Sequence, residues 1–345
     1  MKTNKSTILI TGGAGFIGAN FIPYFMKKHP DYTIINLDKL TYAGNLLHLT
    51  EVSDSPNYHF IHGDITDEQL VTTIFNRYDI GGVIHFAAES HVDRSIEDAN
   101  HFIQTNVLGT MVLLQIAKND WQRKRQLQHR RFHHISTDEV YGSLGEKGKF
   151  TETTPYNPRN PYSASKAGAN MLVKSFGYTY GMDVVVTSSS NNYGPKQHDE
   201  KLIPTIIRKA LKGEAIPIYG DGSNIRDWLY VSDHCGALDL VFHHGKSLEK
   251  YNIGGSNEQT NIAIAKKVCH ILDELTPESK RENGLSSHGE LITYTKDRPG
   301  HDQRYAVDDQ KIRTELGWKP VEDFHTGLQK TIKWYIRQWA KSKVH

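Results

Sequence analysis

Tyr162 and Lys166 form the residue pair with the clearest potential for acid–base chemistry in this sequence. A separation of four residues on a helix brings the phenol and the ammonium onto one face. A neighbouring cation favours the phenolate, so the spacing predicts a lowered pKa for Tyr162 and a role as general base. The sequence contains 17 tyrosines, and Tyr24 with Lys28 has the same spacing by chance. Thr137 distinguishes Tyr162, because this hydroxyl ends the preceding predicted strand and could bind the same substrate oxygen.

Two adjacent carboxyl groups, Asp138 and Glu139, directly follow Thr137. Simple hydride transfer needs one acid or base, so two further carboxyls indicate a second task. Such a pair can take a proton from carbon and give one to a departing hydroxyl if its members hold opposite protonation. Capping of the next turn is the alternative, and the spacing alone leaves both explanations open.

A glycine-rich turn follows the first predicted strand and precedes a helical pattern. Gly12, Gly15 and Gly18 match the spacing of a dinucleotide-binding turn, in which a pyrophosphate lies at the helix N-terminus. Asp38 ends the second strand, where a carboxylate accepts hydrogen bonds from the adenosine ribose and repels a 2′-phosphate. The turn therefore predicts NAD rather than NADP, although Lys39 could tolerate the phosphate.

The elements that must position these groups alternate between short β-branched runs and helical patterns, which predicts an α/β, Rossmann-like doubly wound parallel sheet. The predicted strands are Thr7–Thr11, Thr33–Asp38, Tyr58–His62, Gly82–Ala88, Phe132–Thr137 and Asp183–Thr187. The predicted helices between them include Asn20–Lys28, Asn106–Lys118 and Ser165–Phe176. Ligands of open α/β sheets collect at strand ends, here at Asp64-Ile65 and Ala87-Ala88, although Asp64 could instead cap a helix.

The pattern becomes less regular after Gly194, which indicates a smaller C-terminal α/β lobe completed by a helix over Thr326–Lys341. We therefore expect a dinucleotide-binding domain over residues 1–194 and a substrate-binding lobe over residues 195–345. The boundary is soft, and later parts of the chain are free to return to the first domain.

Composition excludes several classes of protein. The 345 residues carry 41 Lys+Arg against 39 Asp+Glu, a net charge of +2, which does not indicate a surface for polyanions. The only basic segment, residues 123–131, is read as a solvated loop, with a nucleic-acid patch as the alternative. Cys235 and Cys269 cannot build a disulfide framework or a four-cysteine zinc site, so we expect the cytoplasm and no metal. No apolar run is long enough for a membrane span or a signal peptide.

Together these motifs resemble the extended short-chain dehydrogenase/reductase family, and within it the nucleotide-sugar 4,6-dehydratases, over nearly the whole chain. The segments that carry the resemblance are residues 11–18, 37–45, 87–95, 136–142, 162–166, 190–195, 200–204, 219–222, 226–228 and 297–302.

The resemblance implies that dTDP-glucose is oxidised at C4, loses water across C5 and C6, and receives the hydride back at C6 from a tightly bound NAD. The product would be a 4-keto-6-deoxy sugar for rhamnose-type biosynthesis. Tyr162, helped by Lys166 and Thr137, would take the proton of the 4-hydroxyl. Glu139 would then remove the C5 proton while Asp138 protonates the departing 6-hydroxyl.

The resemblance also implies the binding residues. Those for NAD are Gly12, Gly15, Phe16, Ile17, Gly18, Asp38, Lys39, Leu40, Thr41, Asp64, Ile65, Ala87, Ala88, Ser90, Thr105, Tyr162, Lys166 and Asn192. Those for the nucleotide sugar are Ser90, His91, Thr137, Asn191, Glu200, Lys201, Leu202, Ile203, Pro204, Pro217, Ile218, Tyr219, Arg226, Asn261, Arg298 and His301. An ion pair with Asp227 or Asp221 is the alternative for Arg226, and a turn contact for Arg298. His198-Asp199 departs from the family pattern and leaves the choice between thymine and uracil open.

Three other functions are alternatives to this one. A UDP-sugar 4-epimerase has the same fold but does not need both acids, a non-catalytic NAD sensor should lack Thr137, Tyr162 and Lys166, and a nucleic-acid-binding protein depends on residues 123–131 alone. By resemblance, the helices over Asn106–Lys118 and Tyr162–Phe176 would pair with a second copy as a four-helix bundle, giving a homodimer with neither nucleic acid nor membrane as partner.

Overall fold

The computed structural model describes residues 6–342 as alternating strands and helices. The strands, β1 to β12 in chain order, are Thr7–Thr11, Thr33–Asp38, Tyr58–His62, Ile80–His85, Arg131–Thr137, Asp183–Ser189, Asn191–Tyr193, Ile216–Tyr219, Ile225–Tyr230, Lys250–Ile253, Glu258–Thr260 and Ile292–Thr295. The α-helices, α1 to α12, are Phe16–Lys28, Glu68–Arg77, Val92–Glu97, Asn100–Phe102, Thr110–Arg123, Pro161–Tyr180, Leu202–Lys212, Val231–His244, Asn261–Leu275, Pro277–Glu282, Gln310–Leu316 and Phe324–Ser342. A π-helical turn spans Ile103–Gly109, and short 3₁₀ turns span Leu46–Leu49, Asp138–Tyr141 and His288–Leu291. Within this described part, no helix is both long and apolar enough to cross a bilayer.

Seven parallel strands form the main sheet in the order β10-β6-β5-β4-β1-β2-β3. The chain builds outward from β1 to β3 and then returns to place β4 on the other side of β1, with Thr11 opposite His85. The strand order therefore reverses between β1 and β4, and this reversal opens a crevice at their carboxyl ends. The predicted Rossmann-like fold class is confirmed.

Both faces of the main sheet are covered by helices. Alternate residues of β1 enter different cores, because side chains in a strand point to opposite faces: Ile8 packs with α1 and α8, and Leu9 packs with α2, α5 and α6. Burial on both sides explains why these strands read as continuous apolar runs.

The second unit has its own apolar core, formed by α7, α9 and α12 around two small sheets. Strand β9 pairs with β7 and β11, and β8 pairs with β12. The chain returns to the first unit after residue 194, because α8 packs on α1 and β10 joins the edge of the main sheet beside β6. The boundary at residues 194 and 195 therefore separates the units only in part, and its functional assignment stays a prediction.

Three predicted strands have the observed bounds, and the differences elsewhere matter for the site. Strand β4 ends at His85, three residues before the predicted end, which leaves Ala87 and Ala88 in the loop of the crevice. The predicted helix from Asn106 begins inside the π-helical turn, a feature that often accompanies functional sites.

The basic segment over residues 123–131 lies between α5 and β5, and acidic neighbours neutralise much of its charge. Arg130 contacts Asp79 at 2.8 Å, and Arg131 contacts Asp183 at 3.0 Å. These ion pairs give the arginines a structural role, while the expected lack of a nucleic-acid partner stays a prediction.

Candidate active site

The glycine-rich turn brings the main chain unusually close to the loop that follows β4. Gly12 has φ +72°, and a Cβ there would lie 2.5 Å from the backbone nitrogen of Ala87. A Cβ on Gly18 would lie 2.6 Å from the carbonyl oxygen of Gly12. Helix α1 begins at Phe16, and its N-cap residue, Gly15, has no side chain to satisfy the first N–H groups. The turn therefore presents free backbone donors and the positive end of a helix to the crevice.

Asp38 holds this turn in place. Its two carboxylate oxygens accept hydrogen bonds from the backbone nitrogens of Ala14 and Leu40, each at 2.8 Å. Burial raises the pKa of Asp38, and the two backbone bonds oppose that shift. Lys39 forms an ion pair with Asp64 at 2.7 Å, so its charge is already balanced within the site.

A first cavity of about 320 Å³ occupies the crevice, which is within the usual range for small-molecule sites. Of the residues predicted to bind NAD, all except Leu40 line it. Leu40 has φ +52° and contributes its backbone N–H to Asp38. Ser136 Oγ and Asn192 Oδ1 are buried here without a hydrogen-bond partner within residues 6–342. Free donors at a helix terminus, a glycine cradle and orphaned polar atoms together fit a dinucleotide.

Lys166 is buried under the same cavity, on α6 beside β5. Its ammonium donates to the carbonyl of Ile135 at 2.8 Å and lies 3.4 Å from His134 Nε2. Burial lowers the pKa of Lys166 to about 7.

Tyr162 lies one helical turn before Lys166, and burial together with the nearby Glu139 raises its pKa, while a hydrogen bond from Thr137 opposes that shift. The expectation of a lowered tyrosine pKa is therefore wrong for the chain on its own. Burial, which penalises the charged phenolate, is the largest cause of the raised pKa, and the charge of Glu139 adds to it.

The two adjacent acids sit in different surroundings on a 3₁₀ turn. The Thr137 side chain caps this turn by accepting from the backbone N–H of Glu139 at 3.3 Å, so neither acid serves as the cap. Asp138 is 2% exposed, and burial with the charges of Glu139 and Asp227 raises its pKa well above the usual value. Burial also raises the pKa of Glu139, but the cations Arg226 and Lys201 oppose this shift. The surroundings of Asp138 thus favour its neutral form more strongly than those of Glu139, which has two cations among its neighbours.

A second cavity of about 610 Å³ adjoins the first. Both are lined by Ser90, Glu139, Asn191, Glu200 and Lys201, so the two cavities meet at Glu139. Of the residues predicted to bind the nucleotide sugar, Thr137 lines the first cavity. The second cavity is also lined by His91, Leu202, Pro217, Ile218, Tyr219, Arg226, Asn261, Arg298 and His301.

Ile203 and Pro204 are the exceptions. Both are buried residues of α7, and Ile203 belongs to the core of the second unit. Neither of them lines the cavity, although Leu202 and Thr205 on the same helix do. For these two positions the structure supports a packing role instead of ligand contact.

The two arginines of the second cavity are fixed by neighbours on other elements. Arg226 donates to the carbonyl of Asp302 at 3.0 Å, and its guanidinium lies 4.4 Å from the ring centre of Tyr305. Arg298 pairs with Asp93 at 2.5 Å. The alternative ion pair with Asp227 is not what holds Arg226, since both oxygens of that carboxylate accept backbone N–H groups.

Several residues of the site escaped the sequence analysis. Tyr305 and Trp228 line the second cavity, and Glu89 lines the first. Asn106, in the π-helical turn, donates to the Glu89 carbonyl and to Ser165 Oγ, which ties that turn to α6. Glu89 and Trp228 lie in the segments 87–95 and 226–228 that carry the family resemblance, so the sequence could have identified them. Tyr305 and Asn106 lie outside those segments.

A glycine cradle at the strand reversal, a buried Tyr–Lys pair and two unequal acids define a dinucleotide-dependent enzyme of the short-chain dehydrogenase type. Comparison with known proteins agrees. Residues 9–331 match the family model described as GDP-mannose 4,6 dehydratase. The chain belongs to this family of nucleotide-sugar 4,6-dehydratases, which confirms the resemblance seen in the sequence.

Individual relatives narrow the comparison. A dTDP-glucose 4,6-dehydratase of Neisseria meningitidis is 53% identical over 332 residues, covering 95% of this chain and 93% of the relative. A crystal structure of dTDP-glucose 4,6-dehydratase from Bacillus anthracis in complex with NAD has a TM-score of 0.83 at 42% identity, covering 97% of this chain and 98% of that one. A UDP-glucose 4-epimerase from Thermotoga maritima is also similar, with a TM-score of 0.82 at 27% identity and coverage of 96% and 99%.

Proposed function

We propose that this protein is a dTDP-glucose 4,6-dehydratase that uses NAD and converts dTDP-glucose to dTDP-4-keto-6-deoxyglucose. The reaction makes it a hydro-lyase, consistent with the activity named for its relatives at about 50% identity. Its product serves deoxysugar synthesis, and a rhamnose-type route is part of the proposal.

The observation that carries this proposal is the position of Glu139 and Asp138. Glu139 lines both cavities, at the point where a sugar held in the second would meet a dinucleotide held in the first. Asp138 lines the first cavity beside it, in surroundings that favour its neutral form. One ionised and one neutral carboxyl at the reacting sugar are what elimination of water requires and what epimerisation does not.

The chain's own residues then divide the work. Tyr162 acts as its phenolate, which the Lys166 ammonium stabilises; it accepts the proton of the 4-hydroxyl and becomes a neutral phenol, while Thr137 binds the same oxygen. The resulting 4-ketone acidifies C5, so Glu139 can remove the C5 proton. Asp138 gives its proton to the 6-hydroxyl, which leaves as water, and Glu139 returns the proton to C5 when the hydride reaches C6. Arg226 and Arg298 hold the diphosphate, since a guanidinium can donate two parallel hydrogen bonds to phosphate oxygens.

NAD, held by the glycine turn, Asp38 and the residues of the first cavity, supplies the site that accepts the hydride from C4 and returns it to C6. Because the hydride removed from C4 is returned to C6 of the same sugar, the reaction needs no net oxidant.

The test is mass spectrometry of the products formed by purified protein from dTDP-glucose, and separately from UDP-glucose, with trace NAD⁺. Loss of one water without net accumulation of reduced cofactor supports the dehydratase, and the faster substrate identifies the preferred base. Conversion to the galactose epimer at unchanged mass would instead identify an epimerase and reduce the acid pair to a structural role.

A homodimer is part of the proposal. Apolar side chains project into solvent from the π-helical turn and from α5 and α6, with exposed fractions of 49% at Ile103, 47% at Leu108 and 59% at Met171. The elements that carry them adjoin one another, and large exposed apolar side chains on adjoining elements are typical of a protein interface. Pairing of the two helices with a second copy in a four-helix bundle would cover it.

The proposed location is the cytoplasm. Cys235 and Cys269 are both buried free thiols, which suits a reducing compartment.

A further inference from the structure

Tyr42 makes a hydrogen bond between the two units of the molecule. It lies in the loop after β2, and its hydroxyl donates to Glu200 Oε1 at 3.1 Å. Glu200 lies just before α7, and its side chain is 11% exposed. The bond therefore joins a loop of the main sheet to the segment that leads into the second unit.

The surroundings of Tyr42 keep it in this position as a donor. The guanidinium of Arg94 lies 3.7 Å from the centre of its ring, and the His198 ring packs edge-on at 5.3 Å. Burial and the charge of Glu200 raise the pKa of Tyr42, so its hydroxyl keeps its proton at any physiological pH. A hydrogen bond from a neutral hydroxyl to a carboxylate is stronger than one between neutral groups.

Both segments that this bond joins line the cavity assigned to the dinucleotide. Thr41, Ala43 and Gly44 contribute from the loop after β2, and Gln197 and His198 contribute from the other segment. A second link crosses nearby, because the ammonium of Lys201 donates to the carbonyl of Ser90 at 3.1 Å. These two contacts therefore close the wall of the cavity between the loop after β2 and the segment before α7.

We propose that the Tyr42–Glu200 hydrogen bond is a clasp that retains the dinucleotide in its cavity between and during turnovers. This inference rests on the proposed function, in which one cofactor molecule must accept a hydride and return it to the same sugar. Escape of the cofactor between those steps would strand an oxidised, dehydrated intermediate. Exchange of the dinucleotide would require the loop after β2 to separate from the segment before α7, which breaks the clasp.

The test measures release of the dinucleotide directly, without turnover. Protein loaded with NAD labelled in its adenine ring is mixed with a large excess of unlabelled NAD, and the label still bound is followed over time. Because a bond to a charged acceptor is lost, Tyr42→Phe should release the label about tenfold faster than the unaltered protein. Tyr156→Phe is the matched control: this half-buried tyrosine accepts a bond from Asn170 at 3.2 Å and lines neither cavity. Its release rate should equal that of the unaltered protein.

Equal release from Tyr42→Phe and the unaltered protein would overturn the clasp, and so would equal acceleration in both tyrosine variants. If Tyr42→Phe fails to fold, Glu200→Gln decides the matter, since it keeps the shape of the acceptor but removes its charge; unchanged release from that variant would also overturn the clasp. Failure of the unaltered protein to bind labelled NAD at all would instead contradict the proposed function.

Discussion

Replacing Lys166 by methionine should stabilise the NAD-free protein while abolishing its activity. The methionine side chain is apolar and of similar length, so it fits a site where the lysine is 3% exposed. The amine is retained there for chemistry at a cost in folding free energy, because burial opposes its charge.

The size of the effect follows from the pKa of Lys166. Lowering it from 10.5 to about 7 in the folded chain costs about 4 kcal/mol at neutral pH, since one pKa unit is worth about 1.4 kcal/mol. The substitution also removes the donor to the Ile135 carbonyl, and an unsatisfied buried acceptor costs about 1–3 kcal/mol. The net expectation is a gain of about 1–3 kcal/mol in the free energy of unfolding.

The stability difference between the two proteins should also depend on pH, in a direction that the pKa of Lys166 determines. Between the folded pKa of about 7 and the unfolded pKa of 10.5, the unfolded chain binds more protons at Lys166 than the folded chain does. The stability contribution of the lysine therefore rises with pH over this window. The advantage of the methionine variant should be fully present below the folded pKa and should shrink as pH rises towards the unfolded one.

Urea denaturation of the NAD-free proteins, at one pH below this window and one near its upper end, measures both effects. Lys147→Met is the matched control, because Lys147 is exposed and its replacement should change stability by less than about 0.5 kcal/mol. A Lys166→Met variant less stable than the unaltered protein at the lower pH, or an advantage that grows with pH, would refute the reasoning.

Two further predictions concern the site, and a third concerns the proposed dimer interface. Asp138→Asn and Glu139→Gln should each keep bound NAD but slow dehydration at least about tenfold, as measured by the rate of water loss; unchanged rates in both would remove their assigned roles. Gly12→Ala should yield protein that binds little NAD, because its Cβ would meet the Ala87 backbone at 2.5 Å; isothermal titration that finds ordinary affinity would contradict this. Met171→Asp should give a monomer in analytical ultracentrifugation while its circular dichroism stays unchanged, and a persistent dimer would place the interface elsewhere.

The sequence predicted the parts of the fold that depend on neighbouring residues. Strands β1, β2 and β3 have the predicted bounds because each is a short apolar run between clear turn signals. The glycine turn was equally local, since its spacing and its place after a strand specify its shape. Strand β10 was not predicted, because a four-residue strand at a sheet edge has no periodicity to set it apart.

Electrostatic properties of the site could not be predicted in the same way. The spacing of Tyr162 and Lys166 identified the pair but gave the wrong direction for the tyrosine pKa, because burial depends on elements far along the chain. The different surroundings of the two acids likewise come from distant elements: Asp227 on β9 raises the pKa of Asp138, whereas Lys201 lowers that of Glu139, and Arg226 on β9 lowers the pKa of both. The sequence indicated which groups meet, whereas the fold shows which surroundings favour the protonated form of each group.

That distribution of protons is itself an argument for the order of the reaction. Burial raises the pKa of Asp138 and Tyr162, so the surroundings of Asp138 favour the protonated form that its role as acid needs, whereas Tyr162 must lose its own proton before it can accept one from the 4-hydroxyl. Glu139 differs because Lys201 as well as Arg226 favours its charged form, and Arg226 also lines the cavity assigned to the nucleotide sugar. A diphosphate bound at Arg226 would draw part of that positive charge away from Glu139. Substrate binding should therefore make Glu139 a stronger base, which ties removal of the C5 proton to the presence of the whole nucleotide sugar.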